Sequence, residues 1–260
     1  MKMTTTAGSS VHLHAVAHAY TPDEDTLTGI DLNVAAGECV ALVGASSCGK
    51  TTLLRLVAGL LRPTRGNLLI DGRLPSDVRG ELAFVFQEPA LLPWRTVADN
   101  VGLGPELAGL GPRERAPLVA DRLALVGLTD AAGRYPHELS GGMRMRVSLA
   151  RALASTPRLV LLDEPFGALD EITRQRLGGE LLRLWAAGGW TALYVTHSVA
   201  EAVFLAQRVV VLGGRPGRIV GEVAVPLPYP REGQTREERI FSQTVAEVSR
   251  LLARAGEGDK

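Results

Sequence analysis

Residues 39–54 read Cys39-Val40-Ala41-Leu42-Val43-Gly44-Ala45-Ser46-Ser47-Cys48-Gly49-Lys50-Thr51-Thr52-Leu53-Leu54. The opening apolar run, flanked by glycine, predicts a short strand buried on both faces. Leu53, Leu54, Val57, Leu60 and Leu61 then recur at helical spacing, and Pro63 predicts where that helix ends. Between strand and helix, residues 44–51 fit the pattern G-x-x-x-x-G-K-[ST]. Glycine lets the main chain close around a phosphate, and the N–H groups of the loop and of the helix N-terminus point at the anion. Lys50 supplies a positive charge to the outer phosphates, and the Thr51 hydroxyl is suited to ligate Mg²⁺. Of the 28 basic residues 25 are arginine, and Lys2 and Lys260 sit at the ends, so Lys50 is the one interior lysine. Gly44, Ala45, Ser46, Ser47, Cys48, Gly49, Lys50, Thr51 and Thr52 are the expected nucleotide-binding residues.

On the N-terminal side, Val11, Leu13 and Ala15 alternate, as do Ile30, Leu32 and Val34, around the turn-rich Thr21-Pro22-Asp23-Glu24-Asp25. This predicts strand, turn and strand. Further strands are expected at 68–71, 82–86, 159–162, 191–195, 209–212 and 219–225, and helices at 171–187 and 198–206. Strands alternating with helices imply an α/β protein with a mainly parallel, covered sheet. Residues 96–133 have helical spacing and no strand signal, which places an inserted helical subdomain at about 88–157. Residues 1–10, rich in Thr, Ser and Gly, read as a disordered tail, and 11–231 as the main domain. Residues 232–260 form a C-terminal helix and tail, with Ile240, Val245, Val248, Leu251 and Leu252 on one helical side.

A phosphate loop needs a carboxylate for the metal and a means of activating water. Leu159-Val160-Leu161-Leu162-Asp163-Glu164 offers both at a strand end. Asp163 is placed to hold Mg²⁺. Glu164, on the opposite side if strand alternation continues, is placed as general base. The chain has 260 residues, 28 basic and 28 acidic, for a formal net charge of zero. A partner held by bulk charge, such as nucleic acid or an anionic membrane surface, is therefore not expected. Cys39 and Cys48 are too few for a disulfide framework or a metal cluster and read as reduced thiols of the cytosol. The longest apolar runs, 39–45 and 209–214, fall far short of the ~18 residues a membrane span requires. No signal peptide follows Lys2.

As a set, these motifs resemble the ATP-binding cassette ATPases. Leu139-Ser140-Gly141-Gly142-Met143, opening a helical stretch, is similar to the family signature. Gln87 resembles the Q-loop glutamine, Ala168-Leu169-Asp170 the D-loop and His197 the switch histidine. Tyr20 falls where the family places the aromatic that stacks on adenine. The resemblance runs from about residue 11 to residue 231 and implies a P-loop core, an N-terminal antiparallel β part and a helical signature subdomain. It also implies two copies paired head to tail, each ATP lying between the P-loop of one and Ser140, Gly141, Gly142 and Met143 of the other. His197 would hold the γ-phosphate and attacking water in register with Glu164. Gln87 would reach metal and water and respond to a transmembrane permease.

Leu91-Leu92-Pro93-Trp94, Met143 in place of the signature's usual glutamine, Pro216-Gly217-Arg218-Ile219 and Pro228-Tyr229-Pro230-Arg231 resemble the importer ATPases for nitrate, sulfonates and taurine. Pyrimidine-precursor importers share much of this pattern. The implied setting is the cytoplasmic face of the cell membrane, with permease subunits and a solute-binding protein in the complete system. Trp94 is the expected anchor of the permease contact. Two departures stand out: Ser47, where the family usually has glycine, and Met145, where it usually has glutamine. If position 47 needs a positive φ, its Cβ costs about 1–2 kcal/mol. Two rivals remain: a non-transport cassette acting as a switch, and a cassette whose hydrolysis Ser47 weakens. A GTPase would carry N-K-x-D, which the three lysines exclude.

Overall fold

The computed structural model describes residues 8–22, 24–167 and 169–257. β1 (Val11–Thr21) and β2 (Glu24–Val34) form an antiparallel hairpin; after β3 (Cys39–Gly44) and α1 (Lys50–Val57), β4 (Arg65–Ile70) pairs with the other edge of β1. The expected alternation fails at Ala15. That residue has φ +48° at a bulge, so it faces solvent and Val16 takes the inward place. A bulge adds one residue to the strand and so moves the inward place by one. Of the expected tail, residues 1–7 lie outside the described residues. Residues 8–10 instead pack along the domain: Ser9 is buried, its carbonyl accepts from Thr191 Oγ1 (2.6 Å), and Ser10 binds Asp71.

The second sheet runs β5 (Leu82–Val85), β6 (Leu159–Asp163), β7 (Thr191–Val195), β3, β8 (Arg208–Gly213), β9 (Arg218–Ala224). Its pairs are parallel except β8–β9. Both faces are covered, and β3 shows how. Cys39, Ala41 and Val43 join a core with Tyr194, Phe166, Leu181 and Val248, while Val40 and Leu42 join Leu53, Leu54 and Ile30 on the other side. The helices on the first side are α6 (Glu171–Gly188), α7 (Val199–Leu205) and α8 (Arg239–Glu257). In α8 the buried stripe is Phe241, Thr244 and Val248; Ile240, expected inward, is 45% exposed. Helix α1 stops short of Pro63, because Gly59 at φ +67° turns the chain and leaves Leu60 exposed.

Between β5 and β6 stand α2 (Val97–Val101), α3 (Leu103–Leu107), α4 (Pro112–Leu125) and α5 (Gly141–Ala154). They close over a separate core of Val97, Val101, Leu123, Val126, Leu139 and Val147. Parallel strands β3, β6 and β7 therefore point their C-terminal ends the same way. Residues 44–50, 164–167 and 196–198 meet at that edge, where open α/β sheets bind ligands.

Candidate active site

The phosphate loop is shaped by close packing. A Cβ on Gly44 would lie 2.5 Å from the Leu212 carbonyl oxygen, and Gly49 has φ +93° with Leu27 against it. Lys50 is buried and its Nζ donates to the carbonyls of Gly44 (2.9 Å) and Ala45 (2.8 Å). Cys48 turns inward into the core beside Leu27 and Leu53. A glycine that the sequence shows only as part of a family pattern backs the loop. Gly217, in the turn between β8 and β9, has no room for a Cβ: one would fall 2.0 Å from the Cys48 carbonyl oxygen. Its N–H donates to Thr26 and its carbonyl accepts from Thr28.

Ser47 has φ +71° and is exposed, with its hydroxyl on the Ser46 carbonyl. The Cβ is strained there, so Ser47→Gly is expected to stabilise the fold by about 1 kcal/mol, after allowing for glycine's freer unfolded chain. Calorimetry should show a midpoint raised by roughly 2–4 °C. A lowered midpoint would show that the hydroxyl contact outweighs the strain.

Thr51 Oγ1 donates to Asp163 Oδ1 at 3.0 Å. Burial pushes the Asp163 carboxyl up and the Thr51 hydrogen bond pulls it back. Strand β6 ends at Asp163, so alternation is not what turns the next residue away. Glu164 takes a left-handed conformation, φ +48°, and its N–H donates to Val195 of β7. Strained backbone of this kind costs of order 1–3 kcal/mol and clusters at functional positions. Glu164 Oε1 lies 2.5 Å from His197 Nε2. Both line a cleft of about 410 Å³ with Gln87, Gly167, Arg174, Thr196, Ser198 and Glu201. The neighbouring hydroxyl and carboxylate of Thr51 and Asp163 are hard oxygen donors, the set that suits Mg²⁺.

Tyr20 is 56% exposed, so it is not a core residue. Its hydroxyl shares a hydrogen bond with Thr52 Oγ1 (3.2 Å), and the His18 ring meets it edge-on at 4.8 Å. His18 is in turn buried, with Nδ1 on the Arg62 carbonyl. The phenol borders a pocket with Pro22, Asp25, Arg65 and Pro216. Tyr20→Ala is expected to weaken nucleotide binding by about 1–3 kcal/mol, equally for ATP and GTP, since a ring face does not read base identity. Isothermal titration decides; unchanged affinity with a lowered melting point would make Tyr20 a packing residue.

The signature segment is built as a helix start. Ser140 caps α5, accepting from Met143 N–H at 3.2 Å, and Gly142 sits against Leu169 of the D-loop stretch. Ala168 lies outside the described residues. Ser140 and Gly141 are exposed, and Ser140 to Met143 line neither the Glu164 cleft nor the Tyr20 pocket. Met145 is buried in the core below, where an apolar side chain fits. Trp94 is 71% exposed. Its loop is pinned by Asn100, which the sequence did not single out. Fully buried, Asn100 accepts from Leu92 N–H and donates to the carbonyls of Leu92, Arg95 and Thr96.

A phosphate loop after the central parallel strand β3, with acids at the end of β6 on the far side of β7, makes this a nucleotide hydrolase of the P-loop class. Within that class the chain belongs to the ABC transporter family, whose model matches residues 27–167. It is 46% identical over 233 residues to the aliphatic sulfonates import ATP-binding protein SsuB 1 of Xanthomonas axonopodis pv. citri (strain 306), covering 89% of this chain and 92% of that one. It is 45% identical over 209 residues to the nitrate import ATP-binding protein NrtC of Synechococcus elongatus, covering 79% of this chain and 32% of the relative. Among solved structures, a dimeric post-hydrolysis state of the ATP-binding cassette MJ0796 with ADP and Pi superposes with a TM-score of 0.76. That match has 30% identity and covers 84% of this chain and 100% of the other. The protein is an ABC ATPase. No helix among the described residues is long and apolar enough to cross a membrane.

Proposed function

We propose that this chain is the energising subunit of a membrane importer for nitrate, sulfonates, taurine or a related small solute, working at the cytoplasmic face. ATP lies against Tyr20 and within Gly44–Thr52, with Lys50 on its outer phosphates. Thr51, Asp163 and Gln87 would hold Mg²⁺, which when bound shields phosphate charge. Glu164 takes the proton of the attacking water, and His197 keeps that water and the γ-phosphate in line. Ser140 and the amides of Gly141, Gly142 and Met143 complete the cage on the ATP of a second copy. ATP thus pairs two copies, and hydrolysis releases them.

Coupling to a permease rests on one observation, the exposed Trp94 on a loop held rigid by Asn100. A large aromatic on a fixed surface loop is the usual anchor of a protein interface. The sulfonate and nitrate relatives support an importer rather than a non-transport switch. Trp94→Ala is expected to leave ATP hydrolysis by the isolated chain within about twofold while removing permease co-purification and transport. A variant that loses basal hydrolysis while its complexes still transport would place the docking surface elsewhere.

A further inference from the structure

Glu201 lies one turn into α7, 7% exposed, and no role for it follows from the P-loop, the acids or the signature. Its Oε2 is 3.2 Å from Thr196 Oγ1, while Oε1 is buried with no hydrogen-bond partner among the described residues. Arg174 and Glu171 of α6, Arg236 and Glu164 are the charged groups around it. Burial pushes its carboxyl up to about 7, against the pull of Arg174 and Arg236. Leaving a buried acceptor unsatisfied costs about 1–3 kcal/mol, so an apolar side chain would serve stability better here.

What Glu201 does hold is the turn that carries His197. Thr196 Oγ1 accepts from Ser198 N–H (3.0 Å), and Thr196 N–H donates to Leu42 of β3 (3.3 Å). Ser198 Oγ accepts from Glu201 N–H at 3.3 Å. Both neighbours of His197 therefore belong to one network that ends at the Glu201 carboxylate. The imidazole itself is half exposed, and among the described residues its own polar contact is with Glu164. We propose that Glu201 is a positioning residue for hydrolysis: by bonding Thr196 it fixes the turn that aims His197 at Glu164. Misplacement by about 1 Å can cost ~10²-fold in rate, so a loosened turn acts on turnover rather than on ATP binding.

This inference rests on the hydrolytic reading of Glu164 and His197. It is tested by steady-state hydrolysis and melting of the full chain carrying Glu201→Leu, Glu201→Gln or Thr196→Val. Glu201→Leu is expected to lower kcat about 10–100-fold with KM within about threefold and without loss of thermal stability. Glu201→Gln, which keeps an acceptor for Thr196, should restore kcat to within about threefold of wild type. Thr196→Val removes the same link from the other end and should repeat the Leu result, which keeps the test decisive if Glu201→Leu fails to fold. Wild-type kcat in Thr196→Val or Glu201→Leu would overturn the proposal. So would a loss in Glu201→Leu that Gln does not rescue and that melting shows to be unfolding. If Glu164→Gln alone keeps full turnover, the underlying hydrolytic reading has failed instead.

Discussion

Glu164→Gln is expected to bind ATP with unchanged affinity and to hydrolyse it about 10²–10⁴-fold more slowly, a barrier increase of about 3–5 kcal/mol. The carboxylate stands just past β6 in a left-handed turn, 2.5 Å from His197 Nε2. An amide keeps that shape and accepts a hydrogen bond but cannot take a proton from water. The charge proposed to hold ATP lies elsewhere, on Lys50, so binding should be spared. Single-turnover hydrolysis beside equilibrium ATP binding measures both quantities in one preparation. Turnover within threefold of wild type would remove Glu164 from the role of base.

Arg231→Ala should be the most destabilising single change, by about 3–5 kcal/mol, or roughly 10 °C in melting midpoint. Arg231 is only 4% exposed. Its Nη1 donates to the carbonyls of Val203 (2.9 Å), Phe204 (3.0 Å) and Ala206 (2.8 Å), and its Nη2 to Leu227 (2.9 Å). Three of these carbonyls come from the C-terminal end of α7, where helices leave acceptors unpaired. The guanidinium also lies 4.0 Å over the Tyr229 ring, whose hydroxyl donates to Leu205. Lysine cannot present the same fork, so Arg231→Lys should recover little. Calorimetry at neutral pH is the check, and a midpoint within 2 °C of wild type would show the carbonyls to be served by water.

The contrast between these two residues shows what can be read from a sequence. Lys50 and Glu164 announce themselves because their chemistry needs fixed spacing to glycine and to a strand end, and spacing survives in one dimension. Tyr20 and His197 needed the order of the whole motif set. Gly217, Asn100 and Arg231 act on backbone carbonyls brought close only by folding, and a carbonyl leaves no residue code. Pro216-Gly217-Arg218-Ile219 and Pro228-Tyr229-Pro230-Arg231 were visible as family patterns; what they do, backing the P-loop and closing the end of α7, was not. Ala15 and Ile240 misled for local reasons. A bulge shifts the strand period, and α8 turns Phe241 inward in place of its neighbour. For Glu164 the expected strand alternation is replaced by a positive φ, which sets its direction.

Pairing of two copies by ATP, with each nucleotide caught between the Lys50 loop and the Ser140 turn of the other copy, is read most directly by sedimentation velocity of the Glu164→Gln chain with and without Mg-ATP. A single dimeric species that appears only with ATP, retains two nucleotides and reverts to monomer with Ser140→Arg is the expected result. A monomer at saturating ATP, or a dimer indifferent to ATP and to Ser140→Arg, would contradict it.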